Sequence, residues 1–323
     1  MEALTLGVEI GGTKLQVALG DRSGAILETQ RGAAPAGEGA EGILGWFRRE
    51  VPAMLERARV VGGPVECIGV GFGGPVDSAT GRALASFQVS GWQDVALKHW
   101  FEEAFGLPAT VHNDTNAGGW AEYCLGAGRG TRHFFYTNIG SGIGGALILD
   151  GRLHNGQGFG AGEMGHTYVP DWRAEEAGAA DKLENLCSGW NIERRVRSSI
   201  EVSPETVLGK LCGGDRQSIT CAMLGEAAQA GDSAAQEEVE RVAASIGLAI
   251  ANVITLFHPE RVALGGGVSL MGKVLLEPLR REVERCVFDP YRGHYEIVPC
   301  ELGESVVLAG AVLLAQVEGG AAA

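Results

Sequence analysis

The chain has 323 residues, a length that accommodates two domains or one large α/β unit. Hydrophobic residues make up 45% and charged residues 20%, a mix that excludes a mainly disordered protein. The formal net charge of −14 argues against sequence-independent binding to nucleic acid or to an anionic membrane, so a small anionic substrate would need local cations or backbone amides.

The N-terminal third predicts short strands with two helices between them. The helices are expected at Ile43–Arg59 and Val95–Phe105, where apolar residues recur at helical spacing. Residues 30–40, rich in Gly, Ala and Pro, are expected to form a loop. The predicted strands are Leu4–Glu9, Leu15–Leu19, Ala25–Thr29, Cys67–Phe72 and Ala109–His112.

The pattern then restarts with a strand at Phe134–Ile139, a glycine break at Gly140–Gly145 and a strand at Ala146–Leu149. This repeats the strand–glycine–strand order of the N-terminus, as an internal duplication or as two unrelated hairpins. Strands and helices alternate to the end, which predicts an α/β protein. The remaining predicted strands are Arg261–Leu264 and Glu296–Val298, and the remaining helices are Glu184–Arg197, Ser218–Ala230, Ser233–Leu256, Leu275–Cys286 and Val306–Gln316.

Cysteine usage and the N-terminus predict the compartment. Seven cysteines occur, none spaced as CxC or CxxC, so neither a disulfide scaffold nor a thiolate zinc knuckle is expected. The segment MEALTLGVEI lacks a basic region, and no apolar run of about 18 residues predicts a transmembrane helix. We therefore expect a reducing, cytoplasmic location and no membrane partner.

Glycine is unusually frequent, at 51 residues, and three glycine-rich loops each follow a predicted strand. Glycine lets backbone N–H groups converge on phosphate oxygens, and the neighbouring hydroxyl and ammonium groups suit a polyphosphate. Ordinary tight turns are the alternative interpretation. The residues concerned are Gly11, Gly12, Thr13 and Lys14, then Gly140, Ser141 and Gly142, then Gly265, Gly266 and Gly267.

Two nucleotide-binding motifs are matched only superficially. Gly140–Gly145 fits G-x-G-x-x-G, but the apolar ALILDG that follows predicts a strand, whereas a dinucleotide fingerprint opens a helix. Gly267–Lys273 fits G-x-x-x-x-G-K, but Val274 stands where a P-loop requires Ser or Thr. Neither a Rossmann site nor a Walker A site is expected.

Polar residues after the glycine turns have both structural and chemical interpretations. Asp114, preceded by Asn113, either caps a helix or acts as a general base, with Asn113 orienting a substrate. Glu163 and His166 lie in the segment GAGEMGH, whose glycines would let a ligand approach the backbone, although a lone histidine is often structural. Glu184 is either a ligand-binding carboxylate or an ordinary first-turn residue of a helix.

Taken together, these segments resemble the ROK sugar kinases, a family of glucokinases, fructokinases and N-acylhexosamine kinases. The resemblance spans Leu4 to Leu314, and because the first strand begins at Leu4 we expect no helix-turn-helix domain of the kind that ROK repressors carry. The segments that carry it are EIGGTK, GFGGPVD, VHNDTNA, TNIGSGIGGALILDG, GAGEMGH, LENLCSGW and LGGGVS.

The resemblance implies an actin-like fold of two ribonuclease-H-like domains, residues 1–112 with 303–323 and residues 113–302. It implies ATP and Mg²⁺ as cofactors, with ATP against the three glycine loops and Asp114 as the base that deprotonates the sugar hydroxyl. A homodimer is expected by analogy. The implied sugar-binding residues are Gly74, Gln88, Asn113, Asp114, Glu163, His166 and Glu184.

Three departures from the family pattern bear on these expectations. The family's zinc segment of cysteines is replaced by TYVPDWRAEEAGAADKLE, so we expect no structural zinc and a differently supported His166. Glu9 stands where the first phosphate loop usually has Asp, at a position expected to reach Mg²⁺ directly or through water. Gln88 stands where Asn usually contacts the sugar, which bears on sugar preference.

These observations predict an ATP-dependent hexose kinase, most simply one that converts glucose to glucose 6-phosphate. A fructose or N-acylhexosamine kinase is the alternative within the class. A catalytically impaired sugar- or nucleotide-binding protein is the alternative outside it, and a transcriptional regulator is disfavoured by the acidic charge. The expected partners are a sugar and ATP, without nucleic acid.

Overall fold

The computed structural model describes residues 3–199 and 203–320. Contacts within the chain divide it into two compact units, and each is described by itself. The first unit comprises Met1–Thr131, Ala146–Ala161 and Glu301–Ala323, and the second comprises Arg132–Gly145 and Gly162–Cys300.

Strands and helices alternate, as expected for an α/β protein. The strands are β1 (Leu4–Ile10), β2 (Lys14–Gly20), β3 (Ile26–Ala33), β4 (Val65–Phe72), β5 (Val76–Asp77), β6 (Arg82–Ala83), β7 (Ala109–Asn113), β8 (Phe134–Ile139), β9 (Ile143–Leu149), β10 (Arg152–Leu153), β11 (Tyr168–Pro170), β12 (Ala180–Lys182), β13 (Arg261–Gly265) and β14 (Glu296–Pro299). The helices are α1 (Gly39–Val61), α2 (Leu97–Phe105), α3 (Asp114–Leu125), α4 (Leu183–Cys187), α5 (Gly189–Ser199), α6 (Val207–Leu211), α7 (Cys221–Gln229), α8 (Ser233–Phe257), α9 (Lys273–Cys286) and α10 (Val306–Gly320).

The first five-stranded sheet has the order β3-β2-β1-β4-β7. Strands β1, β2 and β3 pair antiparallel, whereas β1, β4 and β7 run parallel. Every residue of the central strand β1 is buried, while the edge strand β3 alternates between half-buried and exposed residues. This contrast is the pattern of a central strand that is covered on both faces and an edge strand that is covered on a single face.

The second five-stranded sheet has the order β10-β9-β8-β13-β14, in which β8, β13 and β14 run parallel. Its order matches that of the first sheet strand for strand. In each sheet the first strand in sequence, β1 or β8, is central; the next two strands in sequence lie on one side of it, and two later parallel strands lie on the other. The strand–glycine–strand repeat predicted from the sequence corresponds to β1–β2 and β8–β9. The shared order favours internal duplication over two unrelated hairpins.

The C-terminal helix α10 lies unusually close to the first sheet and to α3. A Cβ atom on Gly69 of β4 would overlap the carbonyl oxygen of Ala311, and one on Gly310 would overlap the carbonyl oxygen of Ala117 in α3. Only glycine at these positions permits such backbone contact. The high glycine content of the sequence therefore serves close packing as well as turns.

Residues 113–131 make most of their contacts within the first unit and belong to it, whereas the resemblance led us to expect a domain boundary between residues 112 and 113. The reason is that α3 packs against α10, and α10 belongs to the first unit because the chain returns to that unit at Glu301. Residues 146–161, the C-terminal part of β9 with the segment that follows it, also group with the first unit.

A fully buried carboxylate fastens the end of α3. Glu122 accepts hydrogen bonds from the main-chain N–H groups of Ala127 (2.8 Å), Glu301 (3.0 Å) and Leu302 (2.8 Å). A buried carboxylate is costly unless several donors solvate it, and these amides do so. Glu122 thereby joins the turn after α3 to the chain segment that leads into α10.

Several predicted elements are wrong in their extent, and two of them differ for a clear physical reason. The loop expected at residues 30–40 is shorter, because β3 continues to Ala33 and α1 begins at Gly39. The helix expected at Glu184–Arg197 is interrupted at Ser188, whose backbone is extended (φ −67°, ψ 151°). There the Gly189 N–H donates to the carbonyl of Gly140 instead of continuing the helix (2.7 Å). A contact with a distant loop therefore overrides the local helical pattern.

Helix α8 is, among the described residues, the one helix long and apolar enough to cross a membrane. In its most apolar 18-residue window, 61% of the residues are buried inside the structure. A core helix has the same length and composition, so α8 is weak evidence for a membrane span.

The close approach of α10 yields a matched pair of glycine substitutions. Gly310→Ala should lower the free energy of unfolding by about 1–3 kcal/mol, because the new methyl group overlaps the Ala117 carbonyl. Gly45→Ala, in α1 with no atom within 4 Å of its Cβ position, should raise it by about 1 kcal/mol through helix propensity. Urea unfolding of both variants measures the two values, and a neutral Gly310→Ala would contradict this packing.

Candidate active site

The parallel strands of the first sheet end at one edge. Ile10 pairs with Phe72, and Phe72 pairs with Asn113, so β1, β4 and β7 terminate side by side. The segments after them are therefore neighbours, and the N–H of Gly73 donates to the carbonyl of Ile10 (2.8 Å). In α/β sheets ligands bind outside this carboxyl edge. The predicted residues brought together here are Gly11, Gly12, Gly74, Asn113 and Asp114.

Asn113, and not Asp114, caps helix α3. The Asn113 Oδ1 atom accepts hydrogen bonds from the N–H groups of Thr115 (2.9 Å) and Asn116 (3.0 Å). Its Nδ2 donates to the carbonyl of Gly74 (3.1 Å), which joins the ends of β7 and β4. Asp114 is the first helical residue, half-buried, with its Oδ1 accepting the Thr115 N–H (2.7 Å). Its carboxylate lies where the helix macrodipole interacts favourably with negative charge.

Glu9 forms a small polar cluster at the β1–β2 turn. Its Oε1 lies 3.1 Å from the Lys14 Nζ, and its Oε2 accepts a hydrogen bond from the Gln16 Nε2 (2.5 Å). Glu9 is 8% exposed, whereas the side chain of Lys14 is half-exposed. The Gln16 Oε1 atom is buried and has no hydrogen-bond partner among the described atoms. Carboxylate and amide oxygens are the kind of ligand that Mg²⁺ prefers, so the chemistry of this cluster fits that ion.

Gln88 lies directly against the first glycine turn. A Cβ atom on Gly12 would overlap the amide group of Gln88, so glycine at position 12 leaves the room that this side chain occupies. The exposed Thr13 follows, and its carbonyl accepts the N–H of Ala34 (3.0 Å). The residue expected on the sugar side is therefore adjacent to the turn expected to hold phosphate.

The second unit brings its two glycine loops together. Strands β8 and β13 are parallel, and Gly265 pairs with Asn138, so the turns that follow them are neighbours. Gly266 has φ +82°, a conformation that favours glycine, and a Cβ there would overlap the carbonyl of Ile139. The predicted residues Gly140, Ser141 and Gly142 adjoin Gly265, Gly266 and Gly267 in this way.

The first of these loops is joined to a carboxylate. The Glu184 Oε2 accepts a hydrogen bond from the N–H of Ile143 (2.8 Å), the first residue of β9. A Cβ atom on Gly142 would lie 2.7 Å from the same oxygen. Glu184 is in the first turn of α4, so α4 and the Gly140–Gly142 loop are held together by this carboxylate.

Glu163 and His166 complete the polar cluster of the second unit. The pKa of Glu163 is raised, because neighbouring protein atoms reduce the solvation of its carboxylate; His166 lowers it in part and the Glu184 charge raises it further. The side chains of Glu163 and His166 nevertheless reach solvent. The His166 Nδ1 lies 3.4 Å from the Lys182 Nζ. Perturbed carboxylates in such clusters are candidates for ligand binding.

The described ranges, 3–199 and 203–320, contain no group of three or more His, Cys, Asp or Glu residues placed to hold a metal ion. The expected absence of structural zinc stays a prediction. The segment TYVPDWRAEEAGAADKLE instead forms the hairpin β11–β12 and its connecting loop.

Two groups of the candidate site were not identified from the sequence. Gln16 faces Glu9 in the β1–β2 register, a position that pairing the two predicted strands across the glycine turn would have identified. The Ile143 main-chain amide carries no side-chain signal at all, since its role depends only on where Glu184 lies.

Comparison with known proteins gives consistent matches along the chain. The model of the ROK family matches residues 5–318. Glucokinase of Streptomyces coelicolor is 31% identical over 317 residues, 97% of this chain and 98% of that protein. The crystal structure of a ROK family glucokinase from Streptomyces griseus, in complex with glucose and AMPPNP, has a TM-score of 0.81 at 32% identity, covering 97% of this chain and 99% of that one. A putative xylose repressor of a Caldicellulosiruptor species is 29% identical over 320 residues, 96% of this chain and 77% of the repressor.

The acidic cluster makes a titration prediction. Carboxyl NMR should show Glu163 titrating above the ordinary glutamate value, since desolvation disfavours its charge. Ionising it then opposes folding, and this destabilisation develops as the pH rises through the raised pKa. Glu184→Gln should move the Glu163 pKa back down, and His166→Asn should move it further up.

Glu226→Gln, at an exposed position on α7, is the matched control and should leave the Glu163 pKa unchanged. A Glu163 pKa at or below the ordinary value, or one insensitive to Glu184→Gln, would contradict the described cluster.

Proposed function

The chain belongs to the ROK family, and on that premise we propose that it is an ATP-dependent sugar kinase that phosphorylates a hexose, with glucose as the first candidate substrate. The observation that carries the proposal is the position of Asp114. Its carboxylate opens α3 at the carboxyl edge of the first sheet, beside the Gly11–Gly12 turn, while Asn113 provides the helix cap. A carboxylate at the start of a helix on a ligand-binding edge suits a general base.

In the proposed reaction the sugar's primary hydroxyl attacks the γ-phosphorus of ATP. Asp114 accepts the hydroxyl proton, the bond between the γ-phosphorus and the bridging oxygen breaks, and ADP leaves. Such transfer depends mainly on alignment and on neutralising charge at the phosphates. Lys14 supplies a cation at the first turn. By resemblance, the glycine loops at Gly140–Gly142 and Gly265–Gly267 are further candidates for phosphate binding.

Glu9 is the residue we propose to hold Mg²⁺, directly or through water. Its carboxylate is oriented by Lys14 and Gln16, and these contacts keep the carboxylate oxygens at the turn that is expected to bind phosphate. The ion, when bound, neutralises charge on the phosphate oxygens.

The sugar-binding set stays as expected from the resemblance: Gly74, Gln88, Asn113, Asp114, Glu163, His166 and Glu184. Carboxylate and amide groups suit sugar hydroxyls because they accept and orient O–H donors. Glu163 loses its acceptor capacity on protonation, so its raised pKa predicts that sugar affinity weakens as the pH falls towards that value. In this proposal the partners are a sugar, ATP and a second copy of the chain, and the compartment is the cytoplasm.

Two alternatives are retained. A fructose or N-acylhexosamine kinase is the nearest, since Gln88 replaces the usual asparagine and bears on sugar choice. A sugar-binding protein without catalysis is the second, and the replacement of aspartate by Glu9 favours it. Against it, Asp114, Glu163, His166 and Glu184 are all present.

The direct test is ADP release from Mg²⁺-ATP with glucose, mannose, fructose, N-acetylglucosamine, N-acetylmannosamine and glucosamine. We expect saturable turnover with one hexose, glucose first, because Asp114 lies at the carboxyl edge of the first sheet, where Lys14 supplies a cation at the first glycine turn. Folded protein that binds a sugar in thermal-shift assays yet turns over none would establish the binding-protein alternative.

Asp114→Asn tests the proposed base. The amide keeps the acceptor for the Thr115 N–H, so the unfolding temperature should stay near the wild-type value. The loss of the base should lower kcat by about 10²–10⁴-fold. Asp289→Asn, at an exposed surface aspartate, is the matched control and should leave kcat unchanged. If Asp114→Asn retained wild-type kcat, another group would be the base.

A further inference from the structure

The loop of the β11–β12 hairpin contains an arginine with two carboxylate partners. The Arg173 Nη2 lies 2.7 Å from Oδ2 of Asp171 and 2.7 Å from Oδ2 of Asp181, and its Nε donates to Asp171 Oδ1 (2.8 Å). The contact lies near the surface, with side-chain exposures of 32%, 13% and 30% for Arg173, Asp171 and Asp181. A planar guanidinium bridging two carboxylates gives a directional contact that lysine cannot reproduce.

Arg173 is linked to the first turn of α4. Its Nη1 donates to the main-chain carbonyl of Asn185 (3.4 Å). Asp181, on the other side of the guanidinium, accepts hydrogen bonds from the Lys182 N–H (2.7 Å) and from the Asn185 Nδ2 (2.8 Å). The arginine therefore holds the residues on both sides of Glu184.

Charge keeps this contact intact near neutrality. The pKa of Asp171 is lowered chiefly by its hydrogen bond from Arg173, and the pKa of Asp181 is lowered chiefly by Asn185, with Arg173 adding to the effect. Both carboxylates therefore stay ionised, and the stability they add is lost only as the pH falls through their lowered pKa values.

The opposite end of α4 is held by another arginine. Arg195 donates to the carbonyl of Leu186 (2.8 Å) and pairs with Glu238 of α8. Arg195 thus joins α4 to the core of the second unit, whereas Arg173 acts on the turn that carries Glu184. The Glu184 carboxylate in turn accepts the Ile143 N–H of the glycine loop.

We propose that Arg173 is a positioning residue that acts through Glu184, setting its place for the sugar and for the Gly140–Gly142 loop. The effect on the sugar rests on the proposed function. The contact with the Ile143 amide rests on the structure alone.

The kinetic test compares Arg173→Met, Arg173→Lys and Glu184→Gln with the wild type. Arg173→Met should raise the KM for the sugar by about tenfold, the lower end for loss of a hydrogen bond that involves a charged group, with the KM for ATP within about twofold. Arg173→Lys should be intermediate. In the Glu184→Gln background Arg173→Met should add less than about twofold, because the two residues act in series.

Arg241→Met is the matched control, since Arg241 forms an exposed ion pair with Glu237 on α8. It should leave every kinetic constant at the wild-type value. Additive effects of Arg173→Met and Glu184→Gln on the sugar KM, or an unchanged KM in Arg173→Met, would overturn the proposal.

A second measurement needs no catalytic activity. Amide hydrogen exchange at Ile143 should accelerate in Arg173→Met and stay at the wild-type rate in Arg241→Met, because displacement of Glu184 removes the acceptor of that amide. Wild-type protection at Ile143 in Arg173→Met would overturn the positioning role. If the wild type phosphorylated no hexose, the proposed function would fail, and the exchange result alone would still decide whether Arg173 positions Glu184.

Discussion

The contact of α10 with the first sheet and with α3 is the constraint on which the first unit depends. Backbone meets backbone at Gly69 and Gly310, where any side chain would overlap a carbonyl group. Such contact fixes α3 against the sheet, and the position of Asp114 at the start of α3 depends on that packing. The proposed base therefore depends on glycines that lie far from it in sequence and take no part in chemistry.

Carboxylates bound by main-chain amides recur in this acidic chain. Glu122 is buried among three N–H donors, and Glu184 accepts one from the glycine loop. Glu260 accepts two, from Arg132 and His133, and these bonds lower its pKa. Each of them joins segments that are distant in sequence. With a net charge of −14, the protein thus uses part of its negative charge internally, to hold turns in place.

The α/β class, the positions of most long strands and the three glycine loops could be predicted from the sequence, because period-two and helical patterns are local. The sequence allows Asp114 either to cap α3 or to act as a base, and the structure gives the cap to Asn113 instead. Both residue types cap helices well, so only their backbone conformations in the fold separate them. The break at Ser188 was missed, because it depends on the hydrogen bond from the Gly189 N–H to the carbonyl of Gly140. A contact with a loop that is distant in sequence leaves no signal in the local helical pattern.

For the site, the sequence by itself determined which side chains are available: the carboxylates, His166, Lys14 and the glycines at the strand ends. Only the tertiary structure decided which of them meet. The hydrogen bond from Ile143 to Glu184 and the contacts of Arg173 with Asp181 arise from the folding of separate segments onto one another. Hydrogen bonds of this kind leave no periodic trace in the chain, because a donor and an acceptor need only be close in space.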